Sequence, residues 1–558
     1  MFGWPGESER VKTRDEEKGG APILHRFMQE VYQIPEKLIH VMEEADAALQ
    51  EAYGQIEQRA ALNQLRLLHI FQRQGVTDFH LHGSTGYGYG DVGREVLEAV
   101  FAAYFGGEAA LVRSQIMSGT HALALGFFGV LRPGDELISA AGPPYDTLQK
   151  VIGLHGEADA LVDMGVSYRE IALAESRGDG DEAGVVDLPR LLGAIGDKTK
   201  MVFLQRSKGY HWRPSLGIDE LAKVIAGVKK RKSDVVCLVD NCYCEMVETQ
   251  EPGEVGADLT IGSLIKNPGG TLSPCGGYVV GKKHLVEACG RRLSAPGLSA
   301  DMGASLGFNR LAFQGLFQAP QTVGQSLKGA VLAAEFFSRL GYAVLPPARG
   351  KASGAAPEAG GFAPEAGEAV PGTSGAAPAP EAGGFAPEAG ETVPGTGGAA
   401  SEGSGPTPEA AKPTTEAGEA VPGTSGSVSG GGGPAPEAGG PTSEAGGPTA
   451  AHTWAFPGRA DIVQAIKLGD VGKLIRFCQA IQRACPLDSA FVPEPAMLPG
   501  YSHPVIMAGG SFIQGASSEL SADGPMRPPY IAYLQGGFSL AQIKLGLLLA
   551  AKAICAER

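Results

Sequence analysis

The chain has 558 residues, 43% of them hydrophobic and 19% charged, enough for two or more packed domains. Its formal charge of −15 is concentrated in one place: residues 351–450 hold 12 Glu, two Lys and neither Asp nor Arg, which accounts for −10. The remainder carries about −5, and an acidic balance of this kind gives no support to nucleic-acid binding, which wants a basic face.

Residues 1–20 are charged and lack the apolar core of a secretory leader, and no run of about 18 apolar residues occurs, so neither export nor a membrane span is expected. A cytoplasmic location is the expectation. The eight Cys include no CxxC pair, and free thiols are expected rather than a disulfide framework. Cys242 and Cys244 form a CxC without a second ligand pair, so strand residues beside a site are the simpler reading.

In chain order, residues 22–75 carry apolar positions at helical spacing, Phe27, Val31, Ile34, Leu38 and Val41, then Leu65, Leu68 and Phe71. From about residue 76 short apolar runs alternate with longer helical stretches. Strands are predicted at 109–112, 136–139, 201–204 and 235–239, and helices at 92–104, 120–131, 145–154 and 218–230. That alternation predicts an α/β domain, 76–318, with a mainly parallel sheet. A long amphipathic helix is predicted over 319–342, opening an interdomain stretch of 319–346.

Residues 347–452 are a different material, almost entirely Gly, Ala, Pro, Glu, Ser and Thr. GGFAPEAGE occurs at 360–368 and again at 383–391, and EAGEAVPGTS at 365–374 and 416–425. Without apolar periodicity such a segment cannot offset its ordering entropy, so a disordered surface insertion is expected. Beyond it, 460–484 reads as two helices and 505–514 as strand, which predicts a smaller α+β domain over 453–558.

Five features have chemical potential, each with a plain structural explanation when taken alone. Lys266 lies between the apolar run ending in Ile-Gly-Ser-Leu-Ile and the turn Asn-Pro-Gly-Gly, at the strand edge where open α/β sheets bind ligands. Asp240 ends the run Val-Val-Cys-Leu-Val-Asp, where a buried carboxylate needs a cation. Ser118, Gly119 and Thr120 open an Ala/Leu-rich helix, whose N-terminus suits an anion, and Ser263 adds a hydroxyl nearby. Tyr145, in Gly-Pro-Pro-Tyr, is a ring-stacking candidate. Tyr87 and Tyr89 lie in a Gly-flanked loop with Arg94 after it. In chain order (loop aromatics, phosphate cup, stacking Tyr, strand-end Asp, then Lys) the features meet the needs of a pyridoxal-5′-phosphate (PLP) site: a lysine for the imine, an anion for the pyridine nitrogen, a phosphate cup and a stacking ring.

The motifs TGYGYGDVGRE, SGTHAL, RPGDEL, PYDTL, RSKGY, DNCYCE, KNPGG, QGLFQAP and ELSADGPMRPPY resemble the methionine γ-lyase family, also called the aluminium-resistance family. The family is related to the cystathionine and methionine lyases. The resemblance runs over 22–345 and 459–545 and implies a fold-type I PLP enzyme, active as a homodimer or homotetramer. It implies Lys266 as the cofactor-carrying lysine, Asp240 on the pyridine nitrogen, Tyr145 on the ring, and Ser118, Gly119, Thr120 and Ser263 on the phosphate. Tyr87 or Tyr89 would reach a neighbouring subunit's phosphate, while Arg94 sits farther along than the related lyases place their Arg. For the substrate carboxylate, Arg527 is expected first and Arg206 second.

The implied reaction is elimination of a thiol from a sulfur amino acid to give a keto acid and ammonia, with Lys266 moving the α-proton and Tyr145 as acid. The alternatives are another PLP reaction, transamination or γ-replacement, and a non-catalytic metal-stress role. Against the last, HExxH, CxxC pairs and clustered carboxylates are missing from the sequence, and His80 and His82 are more simply turn residues.

Overall fold

The computed structural model describes residues 23–174, 186–348 and 459–555. The repeat segment expected to be a disordered insertion lies outside these residues, save its first two. The described chain opens with helices Ile23–Glu30, Glu36–Ala47 and Gln50–Arg73, where the helical spacing predicts them. Ile56, Ala60 and Leu67 are buried on the third, which packs along the helix Phe308–Arg339.

Seven strands form the main sheet: β1 (Ala109–Arg113), β2 (Glu136–Ser139), β3 (Ser167–Glu170), β4 (Thr199–Gln205), β5 (Val236–Asp240), β6 (Leu259–Ser263) and β7 (Gly277–Gly281). Their order is β1-β7-β6-β5-β4-β2-β3, and only β7 runs antiparallel to its neighbours. The inner strands are buried on both faces, which explains their unbroken apolar runs. Helices Gly119–Val130 and Lys283–Leu293 cover one face, with Leu123, Phe127 and Cys289 against Phe203 and Ile261. Helices Leu188–Ala194 and Ile218–Arg231 cover the other, with Leu221, Val224 and Val228 against Val202, Leu204 and Val239. Gln205, Asp240 and Ser263 each end their strands, so the sheet delivers all three to one edge.

The helix predicted over 319–342 instead runs from Phe308 to Arg339 with Pro320 inside it. Pro320 removes one backbone donor but does not end the helix. The Gln64 amide donates to the Phe317 carbonyl at 2.8 Å in that turn, and tertiary packing buries both sides of the proline. The short turn after Lys266, Asn267–Gly269, packs against this helix. A Cβ on Gly270 would stand 2.2 Å from the Gly315 carbonyl oxygen, so only glycine permits the approach that seats the lysine turn.

A second sheet of five strands comprises β8 (Ala343–Leu345), β9 (Gln464–Lys467), β10 (Val505–Ala508), β11 (Ser521–Pro525) and β12 (Ile531–Gln535), in the order β10-β11-β12-β9-β8. Stretch 460–484, expected as two helices, holds β9 followed by the helix Val471–Arg483. Ile462, Val463 and Ile466 were readable at helical spacing, but β9 pairs with β8 and β12, and burial on both sides mimics a helical pattern in so short a run. Helices Val471–Arg483 and Leu540–Cys555 pack together behind this sheet.

One buried ion pair ties the second sheet to the first. Lys208 and Asp461 are both fully buried, with Nζ 2.6 Å from Oδ1. The same ammonium donates to the Val463 carbonyl at 2.9 Å, and Ser207 Oγ donates to Asp461 at 3.1 Å. Asp461→Ala strands a buried ammonium and is expected to cost about 3–5 kcal/mol in denaturant unfolding. The paired change Lys208→Met with Asp461→Leu is expected to recover most of that loss.

Candidate active site

A cavity of about 550 Å³ lies between the strand-end edge of the main sheet and the open face of the second sheet. Lys266 enters it from the turn after β6. Its Nζ donates to the Tyr243 hydroxyl at 2.8 Å and to the Gly515 carbonyl at 3.0 Å. Tyr243 adopts φ 71, a left-handed conformation that a bulky side chain rarely takes, and the strain sets its phenol against the amine. Burial works against the charged amine, but the Tyr243 hydroxyl, Cys242 and Asp523 outweigh it, so the Lys266 pKa is raised.

Asp240, at the end of β5, is 4% exposed. Its Oδ1 accepts the Cys242 backbone N–H at 3.1 Å. Burial pushes its carboxyl up to about 6, against the pull of that hydrogen bond and of Lys266. The carboxylate therefore stands in the cavity under tension that a cation or N–H donor would relieve.

Ser118 caps the helix Gly119–Val130 and accepts from the His121 N–H at 3.1 Å, so the plain capping role and a place in the cavity coexist. Thr120 Oγ1 meets the Tyr145 hydroxyl at 2.9 Å and Thr147 Oγ1 at 3.1 Å. The Tyr145 backbone N–H donates to Gln205 at 3.0 Å. Burial raises the Tyr145 phenol well above its ordinary range and keeps it a neutral donor. Ser263 Oγ is buried with no hydrogen-bond partner. A Cβ on Gly119 would lie 3.2 Å from Cys242 Sγ and 3.4 Å from Ser263 Cβ, so the cradle at the helix N-terminus is tight.

Lys266, Asp240, Tyr145, Ser118, Gly119, Thr120 and Ser263 thus line one cavity although they span about 150 residues of chain. The remaining candidates stand elsewhere. Tyr87 and Tyr89 are 70% and 61% exposed and do not line it. Arg94 donates to the carbonyls of Gly88 and Gly303 at 2.9 and 2.7 Å, buttressing the loop that carries both tyrosines. Arg206 does not suit a substrate carboxylate, because its fully buried guanidinium is committed to Leu216, Asn241 and Glu248. Arg527 does not line the cavity and donates to the Tyr210 carbonyl at 3.2 Å, behind the cavity wall.

Sequence reasoning missed Tyr243, Tyr210, Tyr501 and Asp523, which also line the cavity. Tyr243 lies three residues past Asp240 in DNCYCE, and Asp523 lies inside ELSADGPMRPPY, so both sat in quoted motifs. No local signal separates them from packing residues. Among the described residues no group of three or more His, Cys, Asp or Glu is arranged to hold a metal ion, and no helix is long and apolar enough to cross a membrane.

A largely parallel sheet with one reversed strand, helices on both faces and a lysine beyond β6 is the fold-type I architecture of PLP-dependent enzymes. The chain belongs to the methionine gamma-lyase family, whose model matches residues 38–354 and 448–555. It is 38% identical over 503 residues to the uncharacterized protein YnbB of Bacillus subtilis, covering 90% of this chain and 92% of that one. It is similar to the crystal structure of a carbon-sulfur lyase involved in aluminum resistance from Clostridium novyi, with 32% identity, a TM-score of 0.71, and coverage of 95% and 99% of the two chains. L-methionine gamma-lyase of Pseudomonas deceptionensis is 29% identical over 214 residues, which span 38% of this chain and 45% of that enzyme.

The raised Asp240 carboxyl has a stability consequence in the cofactor-free protein. Its folded pKa lies above the unfolded one, so the folded state binds more protons between pH 3.8 and about 6, and stability falls as pH rises through that window. Asp240→Asn is expected to stabilise the cofactor-free protein by about 2–3 kcal/mol at pH 8 and by little at pH 4, read by denaturant unfolding at the two pH values.

Proposed function

We propose that the chain is a PLP-dependent carbon–sulfur lyase that releases a thiol from a sulfur amino acid, leaving a keto acid and ammonia. The observation that carries this reading is the convergence of Lys266, Asp240, Tyr145 and the Ser118–Gly119–Thr120 helix start on one cavity, with the Ser263 hydroxyl buried there and unpartnered. A buried hydroxyl without a partner costs roughly 1–3 kcal/mol, a cost that a phosphate oxygen would remove. The residues therefore fit the cofactor. Bound here, PLP supplies the electron sink that accepts the charge left on the substrate α-carbon.

The chain's own groups do the rest. Lys266 anchors the cofactor and, when freed, takes the α-proton with its Nζ. Tyr243, hydrogen-bonded to that nitrogen at 2.8 Å, holds it toward the cavity. Asp240 holds a proton on the ring nitrogen, and that ion pair relieves its burial. The helix N-terminus, with Ser118, Thr120 and Ser263, holds the phosphate. Tyr145 would contact the cofactor ring, and its neutral phenol would give a proton to the departing sulfur. Arg527, which donates to the Tyr210 carbonyl at 3.2 Å, is the cation proposed for the substrate carboxylate.

A homo-oligomer belongs to the proposal. Tyr87, Tyr89 and Met117 are exposed large side chains, at 70%, 61% and 78%, and a second copy would cover them. Membership of the methionine gamma-lyase family favours elimination over transamination or γ-replacement.

The purified protein is expected to show the visible absorbance of lysine-bound PLP and to release thiol and keto acid from a panel of sulfur amino acids. Lys266→Ala is expected to lose both; an unchanged spectrum and full thiol release in this variant would exclude the reading. Ser263→Ala is expected to weaken PLP binding about tenfold in titrations of the cofactor-free protein. Light scattering is expected to give a mass of at least two chains, reduced by Tyr87→Lys with Met117→Lys.

A further inference from the structure

Strand β11 alternates strictly. Ala522 and Gly524 turn inward, and a Cβ on Gly524 would stand 2.7 Å from Leu474, on the helix behind the sheet. Ser521 and Asp523 turn the other way and line the cavity. Asp523 pairs in register with Tyr533 of β12 on one side and Met507 of β10 on the other, and both also line the cavity. The Tyr210 ring lies tilted against Tyr533 at 5.2 Å and against Tyr501 at 6.2 Å between centroids, so three phenol rings wall this part of the cavity. The wall offers an apolar, aromatic sleeve with one carboxylate in it.

The charges of the cavity do not explain that carboxylate. Among the described residues lining it, Lys266 is the only cation, alongside Asp146, Asp240 and Asp523. Asp146 opens the helix Asp146–Ile152, where the helix end accommodates a negative charge. Asp240 has the ring nitrogen in the proposed function, and Lys266 is engaged with the cofactor there. Burial pushes the Asp523 carboxyl up to about 6, and the groups that favour its charged form are Lys266 and Tyr210. Once Lys266 is engaged, Asp523 keeps a tyrosine and lacks a cation.

Resting on the proposed function, we infer that Asp523 selects the substrate: the site takes a thioether amino acid whose side chain ends in an ammonium group, in preference to a purely apolar thioether. The apolar stem packs in the tyrosine and Met507 sleeve, and the distal ammonium meets Asp523 with the ring faces around it. A methyl or propyl thioether would leave the half-buried carboxylate without a cation, which is the penalty that discriminates against it.

Two isosteric pairs test this on the holoenzyme. S-(2-aminoethyl)cysteine and S-propylcysteine differ only in a terminal ammonium against a methyl, and both are scored for thiol release. Lysine and 2-aminoheptanoate make the same comparison without a sulfur to eliminate, so calorimetric titration reads binding alone. Wild type is expected to favour the ammonium member about tenfold or more in kcat/KM and in Kd, with the difference in KM rather than kcat. In Asp523→Asn both ratios are expected to fall to about one. Equal binding of lysine and 2-aminoheptanoate by wild type overturns the inference, and so does a preference that survives in Asp523→Asn. The wild-type ratio decides the matter even if the variant folds poorly. Release of thiol from S-propylcysteine without any preference defeats the inference alone, whereas absence of PLP and of thiol release from every thioether defeats the proposed function.

Discussion

Burying a carboxylate at the end of a parallel strand is expensive, and the architecture is arranged around that expense. Asp240 is carried to the sheet edge by β5, an apolar strand with no polar alternative until its last residue. The Cys242 backbone N–H donates to it, and burial holds its carboxyl at about 6. A site left in that state is poised for a cationic ring nitrogen, and the remaining groups take their places relative to it. The Gly119 helix start, Ser263, Tyr145 and Lys266 line the same cavity.

The second sheet completes the cavity and is itself held by buried charge. Lys208 and Asp461 form an ion pair with every polar atom engaged, and Val463, whose carbonyl shares the ammonium, lines the cavity. Such a pair adds little net stability over an apolar replacement, but one half without the other is destabilising, so it enforces a single docking of the two sheets. The Gly515 carbonyl on Lys266 Nζ is a second link between the sheets, made at the reactive amine itself. Closure of the second sheet over the first and the setting of Lys266 are therefore parts of one arrangement.

Much of the main sheet was legible because parallel strands are buried on both faces and read as continuous apolar runs, as at 201–204 and 235–239. The same property misled at 460–484, where a buried four-residue strand and the start of a helix look alike. The long helix was cut short at its beginning because proline usually marks an end, and only packing of residues far apart in sequence overrode that preference.

Lys266, Asp240, the Ser118 helix start and Tyr145 were readable because each occupies a position with a local meaning: a strand end, a cap, a loop before a helix. Their chemistry follows from residue type at those positions, and the chain alone determined it. The tertiary structure alone commits Arg206 to Asn241 and Glu248, which its place in the sequence does not reveal. It also brought Tyr243 and Asp523 into the cavity. A left-handed backbone turn aims Tyr243 at an amine 23 residues along the chain, and register with the neighbouring strands aims Asp523, which no local pattern records.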